Sequence, residues 1–479
     1  MVRVMVAISP PARRRRRAPA LALVVVTLGT LAAGCGEASV EAIDTPGGPG
    51  PASTRADGGG HEGTGTPSDA DFHILPADAV DARPPDPTGC GSLPGDDNDH
   101  DGYTGLAGDC NDCDKLVNPG AYDVAGNNVD EDCSGKPDDE PTDCDQGAAP
   151  EGDAVAAARA LGLCRMAGGA DSSGGFGFPG LGLGGNPSAG KDKTWGLVKA
   201  AYVFPDGSTG AITAPDPKCG AAGDPPNPLS HGILPGFGDA VKPRRGASLV
   251  VLSSGVARPG FIPRAIDDTI SPRGATMCTR SPLPTGFPVS SYSTCGDLPA
   301  RTGSNLANDA IALELTIRVP TNAQSMSFDF DFYTFEYQQF VCSAYNDAFV
   351  ALLYSQAPTV PANHNIAFDS QNNPVSVNNG FVEVCKPFTY QGAKAGQDFM
   401  RQFPCALGVA ELAGTAFEDH AATGWLQTHT NVVPGEELTL RLAIWDAGDE
   451  ALDSTVLLDN LRWDVKPGST VTVRPPPID

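Results

Sequence analysis

From residue 195 onward, apolar residues recur at every second position. They do so at Ile311, Leu313, Leu315, Ile317 and Val319, at Met326, Phe328, Phe330 and Phe332, and at Leu438, Leu440, Leu442 and Ile444. A period of two marks strands with one face on a core. Shorter runs at 197–204, 248–252, 348–354, 381–385, 424–428 and 455–463 predict further strands, separated by loops rich in Gly, Pro and Asn. About ten strands without alternating long helices predict a mainly β fold, a jelly-roll-like β-sandwich. Helical patterning is confined to one Ala-rich stretch, 152–164, flanked by Cys144 and Cys164, and a disulfide staple fits there.

The N-terminus has a different pattern. Arg13 to Arg17 form a basic run, Leu21 to Ala33 a short apolar stretch, and Leu31-Ala32-Ala33-Gly34-Cys35 closes it. This is signal-peptide anatomy, and the apolar stretch is too short to span a bilayer. Residues 1–34 are therefore expected to be a lipoprotein signal peptide, with Cys35 as the lipidation site. The expected product is a surface-exposed outer membrane lipoprotein that meets the membrane only through its lipid. A cleaved signal with a coincidental Cys is the plain alternative. Residues 35–89, rich in Gly, Pro, Ser, Thr, Ala and Asp, read as a lipidated, disordered tether.

The chain carries a formal charge of −26, and its first 34 residues contain six arginines and no acid, so the mature protein is more acidic still. This charge argues against nucleic acid as a partner, because phosphates need cations on the protein. Of thirteen cysteines, twelve remain once Cys35 is lipidated, an even number that suits disulfides outside the cytoplasm. They fall in two sets, Cys90 to Cys164 and Cys219 to Cys405, and their connectivity cannot be read from spacing.

The densest chemistry lies between them. Asp97, Asp99 and Asp101 precede Gly102 and Tyr103, and Asp109-Cys110-Asn111-Asp112-Cys113-Asp114 follows. Carboxylates at alternate positions before a Gly form the first half of a calcium loop, since hard cations gather six to eight oxygens. The bidentate Glu of a regular EF-hand would fall at Gly108, so Asp109, Asp112 or Asp114 must close the site. A solvated acidic spacer is the alternative.

The stretch from Asp97 to Asp139, with its DxDxDGY opening, DCxDCD centre, Asn118-Pro119-Gly120-Ala121 turn and DEDCSG ending, resembles the MopE-type metal-binding repeat. The resemblance implies Asp97, Asp99, Asp101, Asp109, Asp112, Asp114, Asp130 and Asp132 as ligands, with Tyr103 beside them, and the loop spacing makes Ca2+ the expected cofactor. Relatives carry a further Cys before the NxxDEDC element, where Val124-Ala125-Gly126 stands here. This implies that Cys113 pairs elsewhere, with Cys90 a candidate.

A second resemblance covers residues 150 to 465. Its elements are Leu161-Gly162-Leu163-Cys164, His231-Gly232-Ile233-Leu234, Leu252-Ser253-Ser254-Gly255, Phe328 to Thr334, Tyr345-Asn346-Asp347, Ala422 to Leu426 and Ile444-Trp445-Asp446 through Asp459-Asn460. Together they are similar to the choice-of-anchor L domain family, whose members occur with varied surface anchors. The resemblance supports fold and location and assigns no activity. The expected organisation is a metal-binding module at 90–145, a sandwich at 146–468 and a tail at 469–479.

Within the sandwich, Glu336, Asn346, Asp347 and Asp459 form a candidate second metal site, with Asp446, Asp449 and Asp453 nearby in the strand-end loops. The stretch Asp453 to Asn460 resembles the terminal strand of calcium-containing jelly-roll carbohydrate binders. The plain alternative is that these acids form turns. Tyr333 and Tyr337 are candidate ligand-binding aromatics. Tyr333 shares strand parity with Asp329 and Asp331, opposite the Phe face, although most strand aromatics are core.

Evidence for catalysis is thin. No HExxH, GxSxG or Cys-His nucleophile pattern occurs, and the seven histidines are scattered. Residues 185–192 approach a phosphate loop but carry Asp192 where Ser or Thr is required, and read as a surface loop. The expected function is a non-catalytic, calcium-binding cell-surface protein for adhesion or glycan binding, its partner an extracellular polysaccharide or cell-surface ligand. A polymer hydrolase, needing only two carboxylates, and a structural or metal-sequestering component are the alternatives.

Overall fold

Alternating apolar strands can bury their inner faces only by stacking two sheets, and the computed structural model shows that arrangement. It describes residues 95–169, 194–210, 228–259, 277, 279–287, 306–343, 345–394, 397–448 and 451–476, all within one unit, Leu75–Asp479. The expected signal peptide, Cys35, the tether, Cys90, Cys219, Cys278, Cys295, residues 185–192 and Asp449 lie outside the described residues.

In chain order the elements are α1 (Ala154–Ala160), β1 (Gly196–Val203), β2 (His231–Leu234), β3 (Leu249–Ser253), β4 (Arg280–Pro282), β5 (Leu306–Arg318), β6 (Ser325–Thr334) and β7 (Ala348–Tyr354). These are followed by β8 (Val375–Ser376), β9 (Phe388–Lys394), β10 (Gln397–Phe403), β11 (Ala421–Ala422), β12 (Leu426–Asn431), β13 (Glu437–Asp446), β14 (Ser454–Asp464) and β15 (Val471–Val473). One sheet runs β1-β5-β13-β7-β8, with β4 also on β5. The other runs β15-β12-β6-β14-β3-β2, with β11 also on β6. The chain crosses between sheets at β5, β6 and β7, and again at β12, β13 and β14, so consecutive long strands face each other across the core.

Ile311, Leu313, Leu315, Ile317, Leu440, Leu442, Ile444 and Phe349 of the first sheet meet Phe328, Phe330, Phe332, Val250, Leu252, Val456 and Leu458 of the second in one core. The predicted strands are found with one exception. Residues 381–385 form only an isolated bridge at Val384, while the β9–β10 hairpin, with its broken alternation, escapes the pattern.

Toward one end of the sandwich the outer faces are buried too, while β12 and the first half of β13 alternate between buried and part-exposed positions as the period of two predicts. Loop residues Phe237, Leu412 and Phe417 cover Tyr333, Phe335 and Leu457 on the second sheet. Phe204 and Phe287 pack with Ala312, Val350 and Trp445 on the first. Tyr202 of β1 stacks on His231 of β2, ring centroids 3.7 Å apart.

The helix is shorter than the Ala-rich stretch. Asp153 caps it by accepting from the Ala156 amide at 2.8 Å, and Gly162, at φ 102°, ends it in a left-handed turn. The Cys144–Cys164 staple is present, alongside Cys110–Cys133 and Cys385–Cys405. Cys113 and Cys342 are also disulfide-bonded.

The acidic segment docks on the end of the sandwich. The Thr321 amide donates to Gly120 O at 2.9 Å, Thr321 Oγ1 to Asn118 Oδ1 at 2.8 Å, and Asn322 both accepts from the Tyr122 amide and donates to its carbonyl. Asp145 receives the amides of Ala247 and Ser248. Gly120 permits the closest approach: a Cβ there would stand 2.3 Å from the Tyr103 hydroxyl and 3.0 Å from Thr321. Gly120→Ala should therefore cost about 1–3 kcal/mol by overpacking and lower the melting temperature, with Tyr103→Phe restoring part of the loss. Unchanged melting would show that the contact does not constrain docking.

Burial, with the Arg258 charge as a second cause, pushes the His231 imidazole down to about 4 from its ordinary 6.5. Below pH 6.5 the unfolded chain binds a proton that the folded chain refuses, so stability should fall as pH drops from 6.5 to 4, by roughly 2–3 kcal/mol in all. His231→Phe, which keeps the stacked ring, should flatten that part of the pH–stability curve measured by urea unfolding.

Candidate metal centre

The opening acidic loop follows a rule visible atom by atom: each carboxylate uses one oxygen to set the backbone and leaves the other facing inward. Asp97 Oδ2 accepts from the Gly102 amide at 3.1 Å, Asp99 Oδ1 from Asp101 at 3.2 Å, Asp101 Oδ1 from Tyr103 at 2.8 Å and Asp109 Oδ1 from Asn111 at 2.8 Å. The second oxygens, Asp97 Oδ1, Asp99 Oδ2, Asp101 Oδ2 and Asp109 Oδ2, are buried without a hydrogen-bond partner. Gly102, at φ 92°, supplies the bend, and Gly108, at φ 100°, closes the turn that delivers Asp109.

Oxygens of Asp97, Asp99 and Asp101 lie within 4.8 Å of one another, as do those of Asp99, Asp109 and Asp112. Asp99 belongs to both sets. Asp112 also braces the loop by accepting from the Asn98 amide at 3.1 Å. Of the three closing candidates, the fold thus brings in Asp109 and Asp112. Asp114 lies outside these two sets and accepts from the Leu116 amide at 3.3 Å.

Burial, and then the neighbouring carboxylates, raise Asp101 to about 7 and Asp109 to about 6, and Asp99 rises for the same reasons. Orphaned inward oxygens, like charges at close range and an all-oxygen donor set fit a hard divalent cation. Tyr103 packs instead: its ring is buried and its hydroxyl abuts Gly120.

Asp130 and Asp132 do not join this site. Asp130 accepts from the Ser134 and Gly135 amides at 2.9 and 2.8 Å, forming a turn. Asp132 converges with Asp123 and Asp139, but the protein neutralises this group itself. Arg165 pairs with Asp132 and, at 3.2 Å, with Glu140, and Asp123 accepts the amides of Glu131, Asp132 and Asp139. Arg165 escaped sequence reasoning because its ion pair with Asp132 links positions 33 residues apart, and Asp123 and Asp139 because they join Asp132 only through the folded loop.

The second candidate set divides. Glu336, Asn346 and Asp347 gather at one end of the sandwich. Asp459 lies six residues beyond the start of that end along β14, roughly 20 Å away. It faces Asp329 across the sheet and is satisfied by the amides of Arg244, Arg245 and Asn460, while Asp329 pairs with Arg244. Burial still raises Asp459 to about 7.

Tyr333 and Tyr337 are corrected as sugar platforms. Both rings are at most 2% exposed, with Tyr333 donating to Glu411 at 3.1 Å and Tyr337 packed on Phe388 and Phe403. Strand parity did place Tyr333 opposite the Phe face, but loops cover that side as well.

Two antiparallel sheets with an acidic, disulfide-held cap define a β-sandwich protein carrying a candidate cation site. Residues 287–462 match the family model of the choice-of-anchor L domain, a span that runs through β5 and nearly to the end of β14. Such a domain points to a protein of the cell surface. No curated protein and no solved structure matches the chain. Among the described residues, no helix is long and apolar enough to cross a membrane.

Proposed function

We propose that the chain is a non-catalytic cell-surface protein whose acidic module binds calcium and, stiffened by it, presents the β-sandwich to an extracellular polymer or a neighbouring cell. The observation that carries the reading is the set of four buried carboxylate oxygens, one each from Asp97, Asp99, Asp101 and Asp109, that lack a hydrogen-bond donor. Calcium suits them better than magnesium, because several carboxylate oxygens of the protein itself converge there, whereas magnesium is bound through one or two carboxylates and keeps several waters. Asp99 is the common member of both converging sets. The module resembles the MopE-type repeat, and a lipid at Cys35 would be the chain's anchor.

Two of the histidines are engaged in ring packing. His231 is stacked on Tyr202, and His420 packs edge-on against Phe335. Among the aromatics, Tyr345 is exposed and Trp425 is partly so, and these rings are better placed for a surface ligand than Tyr333 or Tyr337. Calorimetric calcium titration of the full chain should show binding, weakened by Asp99→Asn on the order of tenfold or more, about 1.4 kcal/mol. Chelation should expose residues 95–145 to proteases. A titration without heat, or one that Asp99→Asn leaves unaltered, would remove the calcium reading.

A further inference from the structure

Away from the module, five acids from both sheets meet at one end of the sandwich. Asp309 lies near the start of β5, Glu336 just past β6, Asp347 just before β7, Asp446 at the end of β13 and Asp453 just before β14. All five are at most 3% exposed. The topology forces the meeting: Trp445 pairs with Ala348, so the next residues, Asp446 and Asp347, stand opposite each other, while the crossover from β13 to β14 brings Asp453 from the other sheet.

Several of these oxygens have structural partners. Asp347 accepts from the Ala447 amide at 3.0 Å and from Ser454 Oγ at 2.8 Å, and Glu336 accepts from the Asp347 amide at 3.2 Å. Asp446 is different, since both of its carboxylate oxygens are buried without a hydrogen bond of normal geometry. The Ser254 hydroxyl lies beside it but is engaged with Ser454, accepting from its amide at 2.9 Å and donating to its carbonyl at 3.3 Å. Gly255 keeps the space open, for a Cβ there would stand 1.9 Å from Asp453 Oδ2.

We propose that this end of the sandwich is a second, buried site for a divalent cation of the calcium class, with Asp446 as its central ligand and Asp347, Asp453 and Asp309 around it. Hard oxygen donors drawn from both sheets, with an unpartnered carboxylate in their midst, suit an ion that takes six to eight oxygens. Burial, and then the charges of Asp347, Asp453 and Asp309, push the Asp446 carboxyl well above its ordinary range when no cation is counted. The ion would tie the ends of β5, β7 and β13 to that of β14, making it a clamp between sheets. It is independent of the module site.

The test is calcium content per full chain after dialysis, measured for the wild type, for Asp99→Asn/Asp109→Asn and for Asp446→Asn, with melting temperatures in calcium and in chelator. The module double variant should keep one ion. Asp446→Asn should lose one ion and the corresponding share of the calcium-induced rise in melting temperature. If the acids instead share a proton, the amide mimics the protonated acid, and Asp446→Asn leaves the ion count and calcium response unchanged, which overturns the proposal. Should Asp446→Asn fail to fold, the double variant decides alone: one retained ion supports the site and none overturns it. Loss of ions only in the double variant would leave the module reading intact while removing this one.

Discussion

Carboxylates buried beside one another cannot all be charged unless something positive or a set of donors compensates them. The protein meets that constraint with its own donors at two places and leaves it unmet at two others. Around Asp123, Asp132 and Asp139 it supplies backbone amides and the Arg165 guanidinium, which also lies over the Trp195 ring at 5.3 Å. Around Asp459 and Asp329 it supplies Arg244 and the amides of the neighbouring loop. In the opening loop and at Asp446 the inward oxygens have no hydrogen bond of normal geometry. That difference, rather than acidity as such, separates structural acids from candidate ligands.

Within the sandwich such burial is possible because loops cover part of the outer face of each sheet. Phe237 and Val241 from the link between β2 and β3, with Leu412 and Phe417 from the segment before β11, form a second core over the outer face of β6 and β14, and that cover encloses Asp331 as well as Tyr333. Asp331 accepts from Thr423 Oγ1 at 3.1 Å, and burial followed by the Glu411 charge raises its carboxyl. A thin sandwich with one wet face would leave all of these acids solvated and chemically unremarked. The module extends the same logic by pressing its Asn118 to Tyr122 turn against Thr321 and Asn322, in the link between β5 and β6.

Much of this was legible in the sequence, for identifiable reasons. Period-two runs located β5, β6 and β13, because their inner faces carry branched and aromatic residues without interruption. The spacing of Asp97, Asp99 and Asp101 before Gly102 announced the loop, since local carboxylate geometry depends only on neighbours. What depends on distant chain was hidden. Asp329, Asp331 and Tyr333 read as a solvent face, and only the folded loops show otherwise. Asp309 stands 137 positions before Asp446 in the sequence, and no spacing rule joins them. Asp459 was grouped with Asp347 by its loop-like context, whereas a strand's rise sets them far apart. Ala-rich composition suggested helix up to Cys164, but the left-handed Gly162 stops it sooner.

The central claim is that cations complete the buried acid groups and thereby order both the module and the sheet ends. Backbone hydrogen exchange of the metal-stripped full chain, compared with and without added calcium, tests it most directly. Calcium is expected to slow exchange about tenfold or more at residues 97–112 and at the strand ends around Asp309, Asp347 and Asp446, leaving the centres of β5 and β6 as protected as before. Identical exchange at both acidic regions in the two conditions would contradict the claim.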